Sequence, residues 1–312
     1  MLWSCQPRTS PPENTQLAVT NNQTATKVDG EASNTITPMA ITGLEIPKTS
    51  ASDKIITHTA YSLVYDAGHK QANWVAYELT AQHTIKVAER SNTFKPDPYL
   101  SCITASDKEY SGSGYDKGHL APAADMAWSA STMRESFYFS NVSPQQPGFN
   151  RGIWKRLEEL VRSWAIEYKA VYVVCGPVLK GALRTIGPQR VSVPQYFYKV
   201  VLDYTPPGCK GIGFIMPNTS KGGAVYNYAV PIDSVEKLTD IDFFPLLPED
   251  QERQIESTLC IKCWRWTAVQ TQSNKTNTTS VSAQCSATTL AGNRCKRKTL
   301  SPNGKCYQHG GN

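Results

Sequence analysis

Between Tyr115 and Met126 the chain reads Tyr-Asp-Lys-Gly-His-Leu-Ala-Pro-Ala-Ala-Asp-Met. His119 follows a carboxylate, Asp116, a cation, Lys117, and Gly118. These are parts for phosphodiester hydrolysis. A neutral imidazole can take a proton from water near neutral pH. A neighbouring cation can bind the scissile phosphate, and glycine admits close backbone approach or a positive φ. A lone histidine is more often structural than a base, so the segment alone is a weak signal. Two more segments follow it. One is Ser140-Asn141-Val142-Ser143-Pro144-Gln145. The other is Phe149-Asn150-Arg151-Gly152-Ile153-Trp154-Lys155-Arg156-Leu157-Glu158.

Asn150 and Glu158 are eight positions apart. On a helix that is roughly two turns and about 12 Å of rise, so both side chains share a side. Helical side chains tilt toward the N-terminus, which leans Glu158 back toward Asn150. That spacing disfavours joint ligation of one ion and fits a bridge through water. The plainer readings are a helix N-cap for Asn150 and a solvated charge for Glu158. Asp125, Glu109 and His83 read as structural or solvated groups.

Taken together, the three segments resemble the DNA/RNA non-specific endonucleases of the ββα-metal (His-Me finger) class. The resemblance covers roughly residues 55–258, including Val174-Cys175-Gly176-Pro177 and Ile241-Asp242-Phe243-Phe244-Pro245. It implies the following roles. His119 is the general base. Asn150 is the sole protein ligand of one Mg²⁺, for which Mn²⁺ can substitute. Glu158 holds water on that metal, Asn141 supports the site, and Asp116 belongs to the catalytic group. Arg90, in Glu89-Arg90-Ser91-Asn92, and Lys117 bind substrate phosphate. The family usually has Arg where this chain has Lys117, which keeps the charge and loses the bidentate fork. The implied reaction is attack of water on DNA or RNA without sequence preference, leaving 5′-phosphate ends. Two other readings stay open: a phosphodiesterase for small or non-nucleic substrates, and an inactive nucleic-acid-binding homologue.

The elements that must position these residues are legible as patterns. Tyr61–Tyr65 and Asn73–Leu79 alternate as strands do. Phe137–Val142 reads as a short strand ended by Ser143-Pro144, and residues 91–114 as a surface loop. Ile153, Trp154, Leu157, Leu160, Val161, Trp164, Ala165 and Tyr168 form one apolar helical stripe. Val171–Cys175, Gln195–Leu202 and Ile212–Met216 read as strands, and Asp233–Asp240 and Asp250–Thr258 as short helices with acidic first turns. No βαβ repeat is present. The expected fold is therefore α+β, a mainly antiparallel sheet flanked by helices, plus a small Cys-rich C-terminal module.

Residues 259–312 contain eight Lys or Arg and no Asp or Glu, so the basic charge of the chain sits in its tail. Such a tail adds salt-sensitive attraction to phosphates. Within it, Cys285, Cys295, Cys306 and His309 supply four soft or borderline ligands, the inventory of a structural Zn²⁺ site. Disulfides are the alternative in an oxidising compartment. Cys260-x2-Cys263 can pair internally, assist a metal, or pack beside Trp264 and Trp266. Residues 1–45 read as a polar tether. Its Leu2-Trp3-Ser4-Cys5 start has two readings: the end of a lipoprotein signal, with Cys5 as a lipid anchor and an extracytoplasmic, bacterial-type location, or a chance cysteine near the end of a polar segment. The expected organisation is thus tether 1–45, nuclease domain 46–258, linker 259–282 and basic module 283–312. No run of apolar residues is long enough to span a membrane.

Overall fold

The computed structural model describes residues 41–206, 208–268, 283–289, 292–299, 304–306 and 309. Most of the expected tether, the Cys5 anchor and most of the expected linker lie outside the described residues.

Short hydrophobic runs pair in sequence order before the chain reaches the site. They are β1 (Ile55–Thr57), β2 (Ser62–Asp66) and β3 (Gln71–Thr80). Then come a short helix, α1 (Asp107–Tyr110), strand β4 (Asp116–His119), helix α2 (Ala130–Glu135) and strand β5 (Val142–Gln145). A wide π-type turn at Phe149–Trp154, kinked at Gly152, leads into α3 (Lys155–Tyr168). The chain continues through β6 (Ala170–Pro177), β7 (Arg184–Ile186), β8 (Val191–Val193), β9 (Tyr196–Asp203), β10 (Lys210–Pro217) and β11 (Ala229–Val230). Helices α4 (Ile232–Thr239) and α5 (Glu249–Ser257) follow.

Seven strands form one sheet in the order β1-β2-β3-β6-β9-β10-β11, with every neighbouring pair antiparallel. Side chains alternate across it. Phe197 and Val201 of β9 face α3, packing with Trp154, Leu157 and Trp164. Tyr198, Val200 and Leu202 face the other way, against Ile232, Val235 and Ile255 of α4 and α5. Helices thus cover both faces, as the α+β expectation requires.

Three expectations change. The strand at 137–142 lies one step later, at Val142–Gln145, and runs through Pro144. Proline is tolerated there because β4 and β5 form a two-stranded ladder with open edges. The 91–114 segment contains α1, closed by a capping box between Ser106 and Glu109; Glu109 is buried in that structural role. The ordered body also extends beyond both expected limits. Leu44 is fully buried. At the other end Trp264 packs against Trp164, ring centroids 4.6 Å apart and tilted by 54°, and the Trp164 indole donates to Arg265 O at 2.6 Å. Residues 259–266 are therefore part of the main body rather than linker, anchored by a Cys260–Cys263 disulfide.

Candidate active site

Strands β4 and β5 and helix α3 together form a ββα finger. The register pairs Asp116 with Gln145, Lys117 with Pro144, Gly118 with Ser143 and His119 with Val142. Gly118 is required for close approach, not for a positive φ. A Cβ there would lie 2.2 Å from the Gln145 side chain.

His119 ends the first strand, 8% exposed, between the rings of Phe94 (5.3 Å) and Phe137 (4.7 Å, edge-on). Its Nε2 is buried and has no hydrogen-bond partner among the described residues. Burial, then Arg90 and Lys117, push the imidazole down to about 3. The ring is accordingly neutral at physiological pH, with an accepting nitrogen available.

Asn141 locks the turn after His119. Its Oδ1 accepts from Ala121 N at 2.8 Å, and its Nδ2 donates to Ala121 O at 2.9 Å and Ser136 O at 2.8 Å. Both amide protons are used and the side chain is fully buried. The resemblance groups Asn141 with the catalytic residues; its side-chain bonds all go to the backbone of Ala121 and Ser136, which is a positioning arrangement. Asp116 also acts through others. It accepts from Asn150 Nδ2 at 2.9 Å and from Arg151 Nε and Nη2 at 2.8 and 2.6 Å.

That clamp orients Asn150. With Nδ2 turned to Asp116, its Oδ1 is directed away from the carboxylate, as a hard oxygen donor for a divalent cation would need. The N-cap reading of Asn150 does not hold. It lies inside the wide turn, and its side chain makes no capping bond. Glu158 lies two turns on, half-buried in α3. Burial pushes its carboxyl up to about 7, with Asp125 and Glu159 adding and Lys199 and Arg162 opposing. Half-buried, Glu158 is not a freely solvated helix charge.

Arg90 sits over the Phe137 ring at 5.0 Å, its Nε donating to Asn92 Oδ1 at 2.9 Å. Its charge reaches both His119 and Glu158, which unites it with the rest of the site. Lys117 lies over Phe94 at 4.3 Å and pairs with Asp107. Asp125 is structural, accepting from Tyr77 Oη at 2.8 Å and Arg162 Nη1 at 2.7 Å. His83 is stacked on Trp128 at 4.3 Å, away from this group.

The sequence reading missed Lys199, Arg162 and Arg151. The first had a signal: one lysine inside the apolar run Phe197–Leu202. The second falls outside the apolar stripe of α3 and reveals its role only through Asp125.

Residues 44–250 match the family model described as DNA/RNA non-specific endonuclease. This chain belongs to that family. Over 223 residues it is 32% identical to the mitochondrial nuclease EXOG of Danio rerio, covering 66% of this chain and 64% of that protein. The chain thus spans somewhat under two thirds of that relative's length. A nuclease of a Nostoc species is 33% identical over 222 residues, 67% of this chain and 80% of the other. Human mitochondrial endonuclease G is 33% identical over 201 residues, covering 60% and 68%. Among solved structures, that of the EndoG/EndoGI complex aligns with a TM-score of 0.60 at 31% identity, covering 64% of this chain and 89% of that chain.

The C-terminal unit spans residues 269–312. Its strands β12 (Ala283–Gln284) and β13 (Lys298–Thr299) pair antiparallel. Cys285, Cys295, Cys306 and His309 offer ligand atoms all within 4.8 Å of one another. None of the three cysteines is in a disulfide, although Cys295 and Cys306 sulfurs lie 3.9 Å apart. His309 Nδ1 is 3.5 Å from the Cys285 sulfur and 3.3 Å from that of Cys306. Burial raises the Cys285 thiol, but hydrogen bonds from Ala287, Cys306 and His309 outweigh it and hold it at about 6.

Proposed function

We propose that the endonuclease hydrolyses phosphodiester bonds in DNA and RNA without sequence preference, leaving 5′-phosphate ends. The observation that carries this is the buried, unpartnered Nε2 of neutral His119 on the same ββα finger as the clamped Asn150. His119 takes the proton of the attacking water. Arg90 and Lys117 bind the substrate phosphate, whose negative charge offsets theirs. That relieves two of the three causes that hold the imidazole low, so substrate itself raises the base's proton affinity. Asn150 Oδ1 would hold Mg²⁺, with Mn²⁺ able to replace it, and Glu158 would hold water beside it. The ion supplies Lewis-acid stabilisation of charge on the phosphate and leaving oxygen. Asp116 keeps the Asn150 amide oriented, and the Asn141 bonds keep His119 in place. A water nucleophile needs no 2′-hydroxyl, which supports use of both nucleic acids. Supercoiled plasmid, single-stranded RNA and a cyclic dinucleotide, each with Mg²⁺ and with EDTA, test the reading. Cleavage of the first two alone is expected; turnover of the cyclic dinucleotide alone would support the small-substrate phosphodiesterase instead.

Glu158 gives a pH expectation. Its carboxyl is neutral below about 7 in the metal-free protein and charged above. Divalent-ion affinity should therefore fall as pH drops through that range, whereas His119 loses its neutral form only near 3. Mn²⁺ binding measured by calorimetry across neutral pH checks this, and a flat profile contradicts it.

The tail supports structural Zn²⁺ rather than disulfides. Three thiols and one imidazole that converge without a disulfide among them match a tetrahedral Cys₃His set, and the unit has few large apolar residues with which to fold unaided. The purified chain should carry about one zinc per chain, and chelation should unfold the tail unit. No zinc together with oxidised tail cysteines contradicts this. The lysines and arginines of the tail would add salt-dependent grip on nucleic acid. The Cys260–Cys263 disulfide supports an oxidising, extracytoplasmic location; a lipid at Cys5 would tether the enzyme there.

A further inference from the structure

We propose that Lys199 is a positioning residue of the cleavage site, its buried ammonium holding the carboxylate of Glu158. The proposal rests on the reading of Glu158 given above.

Strand alternation sends Lys199 to the α3 face of the sheet, between Phe197 and Val201. It is fully buried. Lysine is almost never so unless paired, and an uncompensated charge in such a place destabilises the fold. Yet its Nζ makes no full hydrogen bond among the described residues. Three features fix where it lies. The ammonium is 4.9 Å from the ring of Trp154, which precedes Glu158 by one helical turn. Across the strand pair it faces Cys175. The Cys175 sulfur in turn donates to Leu120 O at 3.0 Å, directly after His119. The charge thus lies beneath both limbs of the finger.

Glu158 lies four residues beyond Trp154, on the same face of the helix. Around Glu158, Arg162 also favours ionisation, but its Nη1 is committed to Asp125 at 2.7 Å. Asp125 and Glu159 oppose ionisation, while Arg90 approaches from the β3–β4 connection. Burial raises Tyr77 and Cys175, so both are neutral; Lys199 also acts on the Cys175 sulfur across the strand pair, but burial outweighs it. Among these groups Lys199 is the largest charge opposing the burial of Glu158. A methionine would fill the same space without the desolvation cost, so a purely structural site would favour it.

The test is Lys199→Met in the full chain, alone and combined with Glu158→Gln. Mn²⁺ affinity and plasmid cleavage are followed between about pH 6 and about pH 9, a span that brackets carboxyls raised by burial. At neutral pH the single variant should lose about tenfold or more in both readouts, since one unit of carboxyl shift is a factor of ten. The deficit should close as pH rises. Its thermal midpoint should stay level or rise. On the Glu158→Gln background, Lys199→Met should cost less than about twofold, because coupled sites are not additive. No loss, a loss equal at every pH, or full additivity overturns the proposal. If Lys199→Met does not fold, the ¹⁵N resonance of the Lys199 ammonium decides. It should move as Glu158 titrates in the wild type and stay still in Glu158→Gln; an unresponsive signal overturns the proposal. Wild-type protein that cuts no nucleic acid would strike the nuclease reading instead, and the Mn²⁺ arm would still report on Lys199.

Discussion

Replacing His119 by alanine should lower plasmid cleavage by about two to four orders of magnitude or more, or about 3–5 kcal/mol on the barrier. The fold should survive. The change removes contacts with Phe94 and Phe137, but it also removes a buried nitrogen that has no partner. The two effects oppose each other, so the thermal midpoint should move little. Steady-state rates on supercoiled plasmid, with calorimetry on the same sample, make the comparison. Near-normal turnover by a folded His119→Ala would sink the assignment of the base.

Asn150→Ala should act through the metal. The clamp on Asp116 loses one bond and keeps the two from Arg151, so the finger stays assembled. What disappears is the carbonyl oxygen directed away from Asp116. The Mg²⁺ concentration for half-maximal rate should rise by at least the roughly 10- to 100-fold seen when mere supporting groups of metal sites are removed. Maximal rate should fall as well. Glu158→Gln, which keeps the shape and removes the charge, should be milder. A Mg²⁺ titration of each variant reads this directly. Wild-type metal dependence in Asn150→Ala would mean another group holds the ion.

Local sequence carried the site because its main parts lie within one finger. His119, Asn141, Asn150 and Glu158 fall within 40 consecutive residues, and their spacing follows from two short strands and one helix. The amphipathic stripe of α3 was readable for the same reason: periodicity is a local property. What escaped the sequence depends on chain segments far apart. Lys117 pairs with Asp107 because α1 folds where the sequence shows only a polar loop. The role of Asn141 is visible only once Ser136 O and the Ala121 backbone are brought to it. Trp264 and Trp266 looked like the start of a linker because nothing nearby in sequence says that Trp164 awaits them. Lys199 is separated from Glu158 by β6, β7 and β8, and only the pairing of β9 with β6 brings it to the face of the sheet that α3 covers. The shift of the finger's second strand has a more local cause. Pro144 is a sound strand terminator in a central strand but not in a two-stranded ladder.

End-group analysis of the cleavage products tests the central claim most directly. Purified chain is incubated with plasmid and Mg²⁺, and the fragments are assayed for ligation and for 5′-phosphate. Attack by water with departure of the 3′-oxygen predicts ligatable fragments carrying 5′-phosphate and 3′-hydroxyl, formed with Mg²⁺ and abolished by EDTA. Fragments ending in 3′-phosphate or cyclic phosphate, or cleavage that persists unchanged in EDTA, would contradict a metal-assisted water attack at this finger.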